Sequence, residues 1–167
     1  MPPERVGATA PAPPHSHQVS AVIILAGMTA ALHVGKLPPA LPALTEALHL
    51  TLVQAGFLLS LVQLAGMSLA VLMGLLADGM GLKRSMVRGL LVLALASGLG
   101  GFADSVVALM ALRALEGLGF LLVVLPAPAL IRRVVLPERL SGMMGVWGAY
   151  MPTGTALALL WGPLFMP

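Results

Sequence analysis

The sequence predicts an all-α polytopic membrane protein with about five transmembrane helices. Of its 167 residues, 59% are hydrophobic and only 9% are charged, whereas a soluble domain carries about 25% charged residues. Most of the charged residues fall in short polar breaks between long apolar segments. Backbone groups in lipid must be hydrogen-bonded internally, and the alternating segments of about ten residues that build a barrel are missing. These observations favour helices that cross a bilayer.

Five apolar segments reach or approach the roughly 20 residues that a helix needs to cross ~30 Å of hydrocarbon. They are residues 19–43, 52–77, 87–103, 106–131 and 142–165. We expect the prolines at the end of the first segment, Pro38, Pro39 and Pro42, to break its helix near the membrane surface. The third segment is the shortest, so its limits are the hardest to place.

The polar segments differ in charge between the two sides of the predicted bundle. Residues 1–18 are rich in proline and alanine and predict a disordered tail before the transmembrane domain of residues 19–167. The breaks 78–88 and 132–139 together hold six basic residues, whereas the breaks on the other side hold only Glu46 and Asp104. Basic residues favour the cytoplasmic side, so the tail and the N-terminus are predicted to be cytoplasmic.

Several function classes find no support in the composition. The net charge of +3 is spread over the breaks, and only 4% of residues are aromatic, so no nucleic-acid partner is predicted. The absence of cysteine excludes disulfides, thiol catalysis and cysteine-based metal sites. His15 and His17 lie in the tail, and two ligands rarely make a metal site. We predict no enzyme, catalytic residue, metal or cofactor, because no catalytic triad order or phosphate-binding loop is present.

Three charged residues lie inside the apolar segments: Lys36, Arg113 and Glu116. A charge within the bilayer is costly, so each is a functional-site hypothesis. His33 lies one turn from Lys36 on the same helix face, and helix rise places both at the depth of Glu116. We therefore expect a Lys36–Glu116 or a His33–Glu116 pair. One carboxylate against two fixed cations would attract an anion; the alternative is a structural ion pair, with His33 as a packing residue.

Small residues and proline recur where helices are expected to touch. The fifth segment carries Gly145, Gly148 and Gly154 together with Pro152, and the fourth carries Gly117. Stripes of small residues let helix backbones approach closely. A packing role is the preferred interpretation. A proline within a span can also mark a bend beside a cavity.

Three short motifs occur in a recognisable order. The first runs Gly74-Leu-Leu-Ala-Asp78-Gly-Met-Gly81-Leu-Lys83-Arg84, the second Arg113-Ala-Leu-Glu116-Gly117, and the third Leu136-Pro137-Glu138-Arg139 followed by Gly142. Together they resemble the major facilitator superfamily, on the expected sides of the expected spans. Gly79 stands where that family usually has arginine. The stretches 35–42 and 148–154 are similar to its cyanate and nitroimidazole permease group.

The resemblance implies the N-terminal part of a transporter that normally has two six-span halves. Its expected function is secondary active transport, by symport or antiport, of a small and anionic solute through alternating access. Substrate or coupling residues would be His33, Lys36, Arg113 and Glu116. Gating residues in the signature loop would be Gly74, Asp78, Gly81, Lys83 and Arg84. For Lys83 and Arg84 the preferred alternative is a role in membrane topology, which needs no gating function.

The same resemblance implies a location and partners. The chain would lie in a bacterial inner membrane and associate with lipid and with the missing C-terminal half. The alternative is a truncated, non-transporting membrane protein with a structural or partner-binding role, a fragment in which the missing spans matter more than the motifs.

Overall fold

The computed structural model describes residues 16–165, and this part of the chain consists of helices without strands. The predicted all-α fold is therefore confirmed. The helices are α1 (Ser16–Gly35), α2 (Leu37–Leu48), α3 (Leu52–Met80), α4 (Leu82–Gly100), α5 (Val106–Val124), α6 (Ala127–Val134), α7 (Pro137–Gly148) and α8 (Tyr150–Phe165). The pairs α1–α2, α5–α6 and α7–α8 cover the predicted first, fourth and fifth spans, and each pair is interrupted by only one or two residues.

Three helical segments of the described chain are long and apolar enough to cross a membrane. They are His17–Leu48, Leu52–Met80 and Val106–Val134. Helix α4 has only 19 residues and begins with a basic turn, and α7–α8 is divided at Ala149. Both nevertheless pack in the bundle, α4 against α5 and α8 against α1.

The first span does not end at its prolines, contrary to the prediction. The helix is interrupted at Lys36, and Pro38 and Pro39 lie in the first turn of α2. Proline is tolerated there because the N–H groups of a first helical turn have no helical partner in any case. Helix α2 then continues through Pro42 to Leu48. The prolines therefore divide this span and do not terminate it.

The breaks between spans are shorter than predicted. Helix α3 ends at Met80 and α4 starts at Leu82, so only Gly81 separates them; its φ of 86° is readily adopted only by glycine. Helix α7 likewise begins at Pro137 and not at residue 142. Helix α1 begins at Ser16; residues 1–15 of the predicted tail lie outside the described part of the chain. Charged residues thus occupy helix ends that hydropathy alone assigns to loops.

Helix α5 lies at the centre of one group of packed helices, against α3 and α4. A methyl group added to Gly89 of α4 would lie 2.7 Å from the carbonyl oxygen of Gly119, so these two backbones are in direct contact. A methyl group on Gly117 would lie 3.0 Å from Cβ of Ala65 on α3. Small residues therefore set the separation of α5 from both neighbours.

The glycines of the fifth span divide into two groups. A methyl group on Gly154 would lie 2.5 Å from Cβ of Ala31, so this glycine sits in the contact between α8 and α1. Gly145 and Gly148 are exposed, and an added methyl group would meet no atom of the described chain within 4 Å. Pro152 is also exposed, in the first turn of α8. The packing role is thus seen for Gly154 but not for Gly145 or Gly148. Gly162 also packs closely, because an added methyl group there would lie 2.8 Å from Cγ of Pro39.

Candidate substrate and coupling site

The three intramembrane charges meet at one point in the bundle. Nζ of Lys36 lies 2.5 Å from Oε1 of Glu116, and Nη1 of Arg113 donates to Oε2 of the same carboxylate. Arg113 and Glu116 are each only 4% exposed, whereas the Lys36 side chain is 38% exposed. Glu116 is therefore held between one fully buried cation and one accessible cation. The predicted Lys36–Glu116 pair is present.

The broken first span explains why an arginine is buried here. The carbonyl of Val34 would accept a helical hydrogen bond from residue 38, but Pro38 has no N–H to donate. Arg113 supplies the donors: Nη2 lies 3.0 Å from the Val34 oxygen and Nη1 lies 2.7 Å from the His33 oxygen. A cation at the C-terminus of α1 also interacts favourably with its helix dipole. Arg113 thus caps α1 at its break.

A serine on the third span completes the site, and the sequence interpretation missed it. Nζ of Lys36 donates to Oγ of Ser97 over 2.5 Å. The only available signal was a hydroxyl beside glycines in an otherwise apolar segment, and such a serine can equally bond its own helix. The site therefore draws side chains from α4 and α5 and from the break between α1 and α2.

The His33 ring does not take part in the ion network, so the alternative His33–Glu116 pair is not formed. Its Nδ1 lies 2.8 Å from the carbonyl oxygen of Thr29, one turn earlier on the same helix. Only the main-chain carbonyl of His33 contacts the site, through Arg113. Side-chain spacing placed His33 on the correct turn but could not show that a local backbone acceptor holds its ring.

A cavity of about 280 Å³ borders the charges. It is lined by Lys36, Leu37, Ala40, Leu44, Ala96, Ser97, Gly100, Gly101, Leu109, Leu112, Arg113 and Glu116. Nε of Arg113 is buried without a hydrogen-bond partner. The charges at one end of this cavity sum to +1, so its chemistry suits an anion. Among the described residues, no group of three His, Asp or Glu side chains is placed to hold a metal ion.

The charged residues of the signature loop, unlike Arg113 and Glu116, are exposed. Asp78, Lys83 and Arg84 are all exposed, and none forms an ion pair within the described chain. The turn itself is closed by Gly81, whose N–H donates to the Asp78 carbonyl over 3.3 Å. An added methyl group on Gly74 would meet no atom within 4 Å. The turn is therefore well defined, while its charged side chains face outward.

The comparison with known families agrees with this arrangement. The Major Facilitator Superfamily model matches residues 19–166, which is nearly the whole chain. No curated protein matches the sequence. The match includes the signature turn at Gly81, the α5 motif that supplies Arg113 and Glu116, and the turn before α7. The chain is an integral membrane protein that belongs to the major facilitator superfamily, a family of membrane transporters and not, in general, of enzymes.

Proposed function

We propose that the chain takes part in secondary active transport, as a symporter or antiporter, of a small anionic solute by alternating access, within a longer or complemented transporter. The observation that supports this most is the placement of Glu116 between Arg113 and Lys36 beside a cavity, which leaves one positive charge in excess. A buried excess charge is costly, and a bound anion would balance it.

Lys36 is the cation best able to meet a solute. An ammonium group has three donors, and those of Lys36 have two partners here, Ser97 and Glu116. One donor remains, on a side chain that is 38% exposed. Lys36 also lies at the break between α1 and α2. Transporters commonly form their binding sites at discontinuous helices.

The transport proposal is tested by uptake and counterflow of organic anions into proteoliposomes that contain the complete transporter. Arg113→Ala should abolish uptake, because both the cap of α1 and one partner of Glu116 are lost. Lys36→Ala should raise KM about tenfold or more through loss of a charged hydrogen bond. Glu116→Gln should leave exchange intact but remove the response to an imposed pH gradient.

The matched control for these variants is Arg132→Ala, which removes an exposed cation away from the site. It should transport like the parent protein. If Lys36→Ala and Arg113→Ala also transport normally at equal expression, the charged cluster is structural and the proposal of an anionic solute fails.

A purely structural role is the second candidate. The bonds from Arg113 to the carbonyls of His33 and Val34 favour it, because they stabilise the broken helix whether or not a solute binds. A non-transporting membrane protein with a structural or partner-binding role would need no more than this. Normal transport by the cluster variants, or none by any form of the protein, would support it.

We also propose that the N-terminus is cytoplasmic, in a bacterial inner membrane. Glu46, Lys83 and Asp104 are all exposed, and the chain has no cysteine, so single cysteines can report the topology. Glu46→Cys and Asp104→Cys should react with a membrane-impermeant maleimide added outside cells, and Lys83→Cys only after permeabilisation. The reverse pattern would overturn the orientation.

The association with a C-terminal transporter half and the similarity to the cyanate and nitroimidazole permease group remain predictions. The second rests on the stretches 35–42 and 148–154 alone. Exposed glycines on α7 support the first, because open backbone surfaces of this kind suit contact with further helices.

A further inference from the structure

The cavity beside the charged cluster has two chemically different ends. Four of its twelve lining residues are polar, namely Lys36, Ser97, Arg113 and Glu116. The other eight are leucine, alanine or glycine, contributed by α2, the C-terminal end of α4, the first turns of α5 and the adjoining Gly101. A ligand that fills this space must therefore be polar at one end and apolar along its body.

The charge balance restricts the polar end. The cluster holds two cations and one carboxylate, so a single negative charge would neutralise it. A dianion would leave one buried negative charge without a partner, which is unfavourable. A small hydrophilic anion would lose water on its remaining sides and meet only apolar walls, which offer no hydrogen bonds.

The size of the cavity restricts the body. A volume of about 280 Å³ lies near the lower limit of the roughly 300–1,000 Å³ usual for ligand pockets. The apolar walls would stabilise a compact hydrocarbon group, because its surface would be removed from water and kept away from the ion cluster. A single ring or a short branched chain fits this description, whereas a long acyl chain or a sugar does not.

We infer that this cavity binds a small amphipathic monoanion, with a carboxylate at Lys36 and an apolar body between α2, α4 and α5. The inference rests on the proposed anion transport and narrows its substrate class to hydrophobic monocarboxylates. The apolar lining near Gly100, at the C-terminal end of α4, then determines which apolar group of a solute fits.

Two glycines of α4 provide a matched test of the cavity. Gly100 lines it and Gly98 does not, yet an added methyl group at either would meet no atom within 4 Å. The helix can therefore accept a side chain at both positions. Gly100→Leu should obstruct the cavity, and Gly98→Leu should leave it open. Gly100→Ala is the milder variant, and far-ultraviolet circular dichroism checks that all three remain helical.

The measurement is equilibrium binding of radiolabelled benzoate to the chain in lipid nanodiscs, with empty nanodiscs subtracted. Benzoate should bind at least about tenfold more tightly than acetate, because acetate has no ring to bury. It should also bind about tenfold more tightly than benzyl alcohol, which has the ring without the charge. Unlabelled acetate and benzyl alcohol are compared as competitors.

The variants should follow the same logic. Gly100→Leu should weaken benzoate binding at least about tenfold, since the ring would have to displace a packed side chain. Gly100→Ala should fall between Gly100→Leu and the parent, and Gly98→Leu should bind like the parent. Lys36→Gln should weaken benzoate binding about tenfold and leave benzyl alcohol unchanged.

The outcomes separate this inference from the proposed function. In one outcome acetate competes as well as benzoate, Lys36→Gln weakens the binding of both, and the Gly100 variants bind benzoate like the parent. The cavity then does not hold the apolar part of the solute, although an anion site remains. If benzyl alcohol competes as well as benzoate and Lys36→Gln does not change benzoate binding, the cavity holds a neutral group, such as part of a lipid. The proposal of an anionic solute is then wrong as well. If no probe binds above empty nanodiscs, the monocarboxylate inference is wrong, whatever the uptake assay shows.

Discussion

Charged residues in this molecule lie in two opposite surroundings. Arg113 and Glu116 are each 4% exposed; they pair with each other on α5 and have further partners on α1 and at Lys36, the residue between α1 and α2. Asp78, Lys83 and Arg84 in the signature loop are exposed and form no ion pair in the described chain. Water stabilises the loop charges, so their geometry is unconstrained. The buried charges need partners, so their geometry constrains how α1 and α5 meet.

This difference also separates two ways in which charge can serve a transporter. The buried cluster has one excess positive charge and one buried donor without a partner, Nε of Arg113, which suits a binding site. The loop charges have no ion-pair partner in the described chain, so they remain available to a partner outside it. The contrast predicts large stability effects for the cluster and small ones for the loop.

Removal of the buried carboxylate should have the largest effect. Glu116→Leu leaves Arg113 buried beside Lys36 without a counterion, and breaking a buried pair in this way costs about 3–5 kcal/mol. The free energy of unfolding in mixed detergent micelles, followed by circular dichroism during titration with dodecyl sulfate, measures this. The control Glu46→Leu removes an exposed acid. Equal losses for both variants would contradict the contrast between the two regions.

A smaller effect is expected where uncharged backbones touch. Gly89→Ala places a methyl group 2.7 Å from the Gly119 oxygen, and overpacking of this kind costs about 1–3 kcal/mol. Gly98→Ala on the same helix has open space and should be neutral or stabilising by up to about 1 kcal/mol. The same dodecyl sulfate titration compares them. A loss at Gly98 similar to that at Gly89 would mean that this helix is packed differently.

The smallest effect is expected in the signature loop. Lys83→Gln removes an exposed charge without an ion-pair partner, so stability should change by less than about 0.5 kcal/mol. A loss of more than about 1 kcal/mol would show that this loop is anchored to the bundle by its charge, and the two regions would then resemble each other.

The sequence predicted much of the fold because the relevant physics is local. Long apolar segments in lipid must be helices, whatever they pack against. The predicted second span starts at the observed residue 52, and the fourth at residue 106. The limits of the first and third spans were wrong, because proline is tolerated in a first helical turn and basic residues extended α4 to Leu82. Hydropathy does not distinguish a charged helix end from a loop.

The candidate site was predictable only in part. Charges within apolar segments identified Lys36, Arg113 and Glu116, since such residues are rare in bilayer segments and usually have a partner there. Ser97 and the contact of Gly89 with Gly119 were missed, because small and weakly polar residues have many uses in a helix. Of the two pairs that the sequence left open, the His33–Glu116 pair did not form, because the His33 ring lies against a backbone carbonyl of its own helix.

The sequence alone thus determined that this is a helical membrane protein, which residues carry unusual charge and which family its motifs resemble. Apolar composition and the need to satisfy backbone hydrogen bonds apply to each segment separately. They therefore predict a helix without any knowledge of the segments that pack against it. Only the tertiary structure decided that Arg113 caps the break of α1, that Lys36 reaches both Ser97 and Glu116, and that an amphipathic cavity lies beside them. Each of these depends on the angle and rotation at which separate helices pack, and those are set by contacts between residues distant in the chain.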